Sequence, residues 1–187
     1  PLDGKTVSPE TILSEALQIL DADGLDRLTM RALAERARVN PMTIYHHFQD
    51  RDGLIWSLAN WVYADVVAPG KGDAHGRLRG LLRAYHAKVV LHPALTLAIF
   101  ARPSVFPEHA KRITEDLTRL LGELGLSSER SLRWTHILVD YLHGAALAVA
   151  AQDQGAQRGT MFDDFESGLA ELLEAFLPSS DRRGTQT

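Results

Sequence analysis

Two groups of residues have side chains whose type and spacing suit chemistry. The first is dense: between Arg27 and Arg51 five arginines stand against Glu35 and Asp50, a local charge of +3 in a chain whose net charge is -4. Inside that window lie Met42, Thr43, Tyr45, His46 and His47. Hydroxyl, phenol and imidazole groups beside guanidinium groups match the donors and acceptors of base edges and the phosphates between them. The second group is His136, Asp140 and His143, at i, i+4 and i+7 of one expected helix, a spacing that could offer one face to a metal ion. No second element is known to complete a ligand set, so these histidines read more plainly as core or interface groups. No metal or cofactor is expected.

Two short helices must present the basic window. Thr29 can cap a helix from Met30 to Ala37, in which Met30, Leu33, Ala34 and Ala37 share one buried face and Arg31, Glu35 and Arg36 stay outside. Arg38, Val39 and Asn40 then make a corner, with Val39 as an apolar plug and Asn40 as cap for a second helix that opens with Pro41. That helix, Pro41 to Phe48, buries Ile44 and Phe48 and turns Met42, Thr43, Tyr45, His46 and His47 outward. A helix of this kind fits the major groove, and Arg31, Arg36, Arg38 and Arg51 surround it as phosphate partners.

The stretch LTMRALAERARVNPMTIYHHFQDRDGLI resembles the helix-turn-helix signature of the TetR family of transcriptional repressors. The likeness runs from Thr11 to about Trp61. It rests on Thr29 and Arg31 at the second helix, the Tyr45, His47 and Phe48 grouping, and Arg51 opening a fourth helix. Arg38 departs from the pattern, because the family usually has glycine there to adopt a left-handed backbone, at a cost of about 1 kcal/mol for other residues. The resemblance and the residues together assign DNA contact to Thr29, Arg31, Arg38, Asn40, Pro41, Met42, Thr43, Tyr45, His46, His47 and Arg51.

The whole chain, 187 residues with 45% hydrophobic content, is long enough for one or two cores. It has no cysteine, which excludes disulfides and zinc-thiolate sites. No signal peptide and no apolar run of membrane-spanning length appear, and a cytoplasmic protein is expected. Ser8 and Pro9 open a first helix that Gly24 ends, and Asp50 caps a fourth that extends to about Val67 as a connecting rod. Pro69 to Asp73 is the clearest break. Beyond it the expected helices are Ala74 to Leu91, Pro93 to Ala101, Pro107 to Leu124, Ser127 to Ala151 and, after a polar loop from Asp153 to Thr160, Phe162 to Leu177. No stretch alternates with period two, so the fold class is all-α: a three-helix helix-turn-helix DNA-binding domain (1–67), a helical ligand-binding and dimerisation domain (74–178), and a disordered tail (179–187).

The last two helices look suited to self-association. Phe165, Leu169, Leu172 and Phe176 form one stripe, and Ala145 and Val149 belong to a small-residue run that permits close helix approach. The alternative is that both stripes fill the chain's own core. The resemblance implies a homodimer whose last two helices pair as a four-helix bundle, setting two recognition helices roughly 34 Å apart on a near-palindromic operator in double-stranded DNA.

Trp61, Tyr85, His86, Phe100, Trp134, Tyr141 and His143 supply large apolar surfaces with a few polar tips and almost no fixed charge. The resemblance implies a cavity among them whose small-molecule ligand loosens DNA binding, and the residue chemistry favours an apolar, mostly uncharged molecule. A different reading of the same fold is a DNA-bound protein that docks a protein partner and has no cavity. An enzyme built on His136, Asp140 and His143 lacks any nucleophile elbow, phosphate loop or metal motif in support.

Overall fold

Most helices begin where a side chain accepts a hydrogen bond from an otherwise unpaired amide. In the computed structural model, which describes residues 7–102, 106–151 and 157–176, Ser8, Thr29, Asn40, Asp50, Asp73 and Ser127 all do so. The helices they open, with those between, are α1 (Pro9–Asp23), α2 (Met30–Arg36), α3 (Pro41–Phe48), α4 (Arg51–Tyr63), α5 (Ala74–Leu91), α6 (Pro93–Phe100), α7 (Glu108–Glu123), α8 (Ser128–Ala150) and α9 (Gln157–Phe176). A 3₁₀ turn, Leu25–Arg27, follows α1, and the described residues contain no strand. No helix among them is long and apolar enough to cross a membrane.

Helices α1, α2 and α3 close around Ile12, Ala16, Leu20, Leu33, Ile44 and Phe48, each buried. A fully buried side chain of this size contributes about 1.5–3 kcal/mol, enough to fix two short helices that are too short to be stable alone. Helix α4 packs on α1 and α3 at one side and on α5, α6 and α7 at the other. Its buried residues, among them Leu54, Leu58 and Val62, therefore join both halves into one continuous apolar core. In the C-terminal half α5, α7 and α8 pack on one another through Leu78, Leu81, Leu82, Leu117, Leu121, Leu138 and Leu142, and α9 lies along α8.

Three expectations differ from this arrangement. Helix α4 ends at Tyr63 instead of running to about Val67. Arg112 of α7 donates through Nη2 to the carbonyl oxygens of Tyr63 (3.2 Å), Ala64 (3.2 Å) and Val66 (3.0 Å), so the chain can turn there with its carbonyls satisfied. Helix α9 starts at Gln157, within the stretch read as a loop; the single Gly159 costs a helix only about 1 kcal/mol relative to alanine and does not stop it. The α9 stripe proposed for dimerisation is filled from within: Phe165, Leu169 and Phe176 are 1–3% exposed, as is Val149 on α8, while Ala145 and Leu172 pack half-buried on the same core. The expected tail, 179–187, lies outside the described residues.

Candidate nucleic-acid interface and ligand cavity

The two-helix motif is specified at its corner. Arg38 has φ 56, the left-handed conformation that glycine would adopt freely, and Val39 tucks against the core beside it. Asn40 Oδ1 then accepts from the Met42 amide at 2.9 Å, and Thr29 Oγ1 from that of Ala32 at 3.1 Å. Both capping residues are thus committed to the fold through their oxygens. Helix α3 exposes Pro41, Met42, Tyr45, His46 and His47, with Thr43 half-buried. Arg31 and Arg38 are exposed as well, and no carboxylate or carbonyl of the described residues takes up either guanidinium. At the far end Gln49 has φ 62 and leads directly into α4. Gly53 is required in that junction, since a Cβ there would sit 2.2 Å from the Phe48 carbonyl oxygen.

Two arginines of the basic window face the protein. Arg36 pairs with Glu15 at 2.7 Å and donates to Gln18 at 2.7 Å, which ties α2 to α1. Arg51, expected beside phosphate, is half-buried and donates through Nη2 to the carbonyl oxygen of Leu25 in the 3₁₀ turn. Its guanidinium ties the start of α4 to that turn, as a second donor to a carbonyl that also accepts from the Leu28 amide. Leu25 in turn touches a small apolar cluster of Ile55 on α4 with Ala98 and Ile99 on α6.

A cavity of about 270 Å³ opens between α4, α6, α7 and α8. Its buried end is formed by Tyr63 from α4, Tyr85 from α5, Thr96 from α6 and His143 from α8. Ile99, Ala110, Thr114 and Val139 line its flanks, and Phe100, Phe106, His136 and Asp140 are its exposed wall. Tyr63 Oη lies 3.2 Å from Thr96 Oγ1, and the Tyr63 and Tyr85 rings meet edge to face at 5.5 Å. Tyr85 Oη lies 2.8 Å from His143 Nε2. Burial pushes the Tyr85 phenol up and the His143 imidazole down, Asp140 opposing the latter, so both are neutral. The phenol proton then has a use only if Tyr85 donates to Nε2, which leaves the His143 proton on Nδ1.

Comparison with known proteins agrees with this architecture. The family model described as bacterial regulatory proteins, tetR family, matches residues 12–57. The class A tetracycline repressor protein from transposon 1721 of Escherichia coli is 27% identical over 184 residues, 95% of this chain and 83% of that protein. The helix-turn-helix region of this chain, residues 12–57, is of the TetR family. Mycobacterium smegmatis BioQ shares the fold with TM-score 0.77 at 22% identity, covering 90% of this chain and 97% of BioQ. A TetR variant from Acinetobacter baumannii AYE, in complex with minocycline, does so with TM-score 0.74 at 24% identity, covering 91% and 96%.

Within this TetR-family fold the residues named for a ligand site divide. Tyr85, Phe100 and His143 line the cavity. Trp61 is exposed on α4, away from it. His86 stacks on Phe165 with centroids 3.7 Å apart, Trp134 meets Phe176 at 5.0 Å, and Tyr141 stacks on Phe165 at 5.8 Å while donating to its carbonyl at 3.2 Å. Those three aromatics serve to seat α9. Tyr63, Thr96 and Thr114 escaped sequence reading, because a hydroxyl on an apolar helix face has no distinguishing spacing. The His136, Asp140 and His143 stripe did have one, and it is the α8 wall of the cavity; among the described residues no group of three His, Cys, Asp or Glu is placed to hold a metal. A carboxylate on that wall also departs from the expectation of a site almost without charge.

Proposed function

We propose that this protein is a transcriptional repressor that binds a near-palindromic operator as a homodimer and is released by a small, mostly apolar ligand entering the cavity. The observation that carries this reading is Tyr63, which belongs to α4 and at the same time closes the buried end of the cavity. Helix α4 also packs on α3 and α1, so a ligand that prefers one setting of Tyr63 biases the helix that carries the DNA-facing motif. Thr43, Tyr45, His46 and His47 are assigned to base edges and nearby phosphate, Arg31 and Arg38 to phosphate. The likeness to a protein named as a tetracycline repressor, and to one solved with minocycline, supports a small-molecule effector. BioQ solved with its double-stranded DNA operator supports the DNA partner.

The dimer is assigned to the exposed side of α8 and α9, where Ile137, Gly144 and Ala148 share one face of α8 and Glu171 and Ala175 one face of α9. A 270 Å³ cavity also removes the motive for a protein partner docked on a filled domain. The test is linkage. Operator duplexes selected from random DNA are titrated with and without ligand, and an effector drawn from a metabolite pool should weaken operator binding by about 5- to 150-fold, with operator weakening effector binding by the same factor. Equal effector affinity for free and operator-bound protein rejects the mechanism.

A further inference from the structure

The charge of the cavity is one-sided. Among its described lining residues Asp140 is a carboxylate and none is lysine or arginine. The cations nearby in the chain are committed elsewhere: Arg102 to Asp52 at 2.7 Å, Arg112 to the carbonyls that end α4, and Arg133 to Glu129 at 2.7 Å. No cation of the described residues pairs with Asp140. Burial lowers the His143 pKa against the opposing pull of Asp140, and its Nε2 is engaged with the Tyr85 hydroxyl at 2.8 Å, so it is not a fixed positive partner for the carboxylate. On the same open side Phe100 and Phe106 are 52% and 57% exposed and line the cavity with Asp140, the Phe100 ring meeting His143 edge to face at 5.0 Å.

We propose that the ligand is a small monocation, an ammonium or quaternary amine on an apolar body, with its charged head against Asp140, Phe100 and Phe106 and its body towards Tyr63 and Tyr85. A cation is attracted by both the carboxylate and the aromatic rings, whereas an anion is repelled by both. A neutral ligand covers Asp140 without replacing the water it loses. The volume sets the size, since about 270 Å³ lies below the roughly 300–1,000 Å³ of sites for drug-sized molecules.

This inference rests on the reading of the cavity as the effector site, so its test separates the two. Calorimetry at neutral pH compares 2-naphthylmethylamine, 2-naphthylmethanol and 2-naphthoate, which share one ring system and differ in charge. The amine should bind about tenfold tighter than the alcohol, and the carboxylate weakest, as a charge-assisted contact requires. Asp140→Asn should bring amine and alcohol to equal affinity, and Asp140→Glu should keep the preference. An amine that binds no tighter than the alcohol, or a preference that survives Asp140→Asn, overturns the proposal. If the alcohol still binds and Thr114→Trp abolishes that binding by filling the cavity, the effector site stands and only its charge class is wrong. If none of the three binds, both fall.

Discussion

The guanidinium of Arg112 meets the carbonyl oxygen of Val66 at 3.0 Å, and the same Nη2 reaches those of Tyr63 and Ala64. Arg112 stands on α7 between Ala110 and Thr114, both cavity residues, so one side chain fastens the cavity wall to the end of the helix that approaches the DNA-facing motif. Arg112→Met should cost about 1 kcal/mol in denaturant unfolding, since it removes a donor from part-buried carbonyls of which that of Tyr63 keeps the Val66 amide. It should also shrink the effect of ligand on operator affinity, because the two elements then move independently. A variant that loses stability but keeps the full ligand effect would take α7 out of the coupling route.

Arg51 and Tyr45 should separate stability from DNA binding. Arg51→Ala removes one of two donors to the Leu25 carbonyl, which keeps the Leu28 amide, and should cost about 0.5–1.5 kcal/mol of stability, with the salt slope of DNA binding unchanged. The Tyr45 side chain is exposed and makes no hydrogen bond among the described residues, so Tyr45→Ala should leave the melting temperature within a degree or two and weaken operator binding. Gel shifts and melts on the two variants check this. A fall of about 1 in the salt slope for Arg51→Ala would return that residue to the phosphate contacts.

The contrast between these two residues marks what a sequence can convey. Helix starts were legible, because Ser8, Thr29, Asn40, Asp50 and Ser127 act on amides two or three residues away and need no tertiary information. The left-handed corner at Arg38 was legible through the resemblance, which puts glycine at that position. The end of α4 was not, since Arg112 sets it from 46 to 49 residues further along the chain. Periodicity likewise placed Phe165, Leu169 and Phe176 on one face of α9 but could not tell whether that face meets this chain or another. Tyr141 illustrates the tightness of the answer: a Cβ at Gly168 would lie 2.2 Å from its hydroxyl, so a larger residue there requires the Tyr141 side chain to shift. Of the cavity, the large aromatics Tyr85 and Phe100 were legible by size, and Asp140 only as part of a spacing whose meaning the fold decides.

Acid should destabilise the protein in two separate windows. Burial lowers His86 from the ordinary 6.5 to about 4, with Glu166 opposing, and His143 is lowered by burial too. Between pH 6.5 and 4 the unfolded chain therefore binds more protons than the folded one, and stability present above pH 6.5 is lost as pH falls. Glu166 is held below its usual value first by Arg83 and then by Arg79, so its contribution is present above about pH 4.5 and disappears only as pH drops further. His86→Phe, which can keep the stack on Phe165, should flatten the first window by one proton's share and leave the second in place. Urea unfolding from pH 7 to pH 3 reads both, and an unchanged slope above pH 4.5 would remove His86 from the acid response.

The dimer prediction turns on which side of α8 and α9 is mutated. Phe176 is 3% exposed and meets Trp134 at 5.0 Å, so Phe176→Asp should bury an unpaired charge and unfold the chain instead of splitting a dimer. Ala148 is exposed, on the face it shares with Ile137 and Gly144, so among the described residues a large charged side chain there has access to solvent. If two copies pair through this face, close approach needs its small residues, and two copies of Ala148→Arg would bring like charges together across a two-fold axis. Ala148→Arg should thus sediment as a monomer with the helix content and melting curve of a folded protein, and it should bind a full operator little better than a half-site. The parent must sediment as a dimer in the same buffer. An Ala148→Arg protein that remains dimeric places the interface on another surface, and a monomeric parent removes the palindrome from the proposed mode of DNA binding.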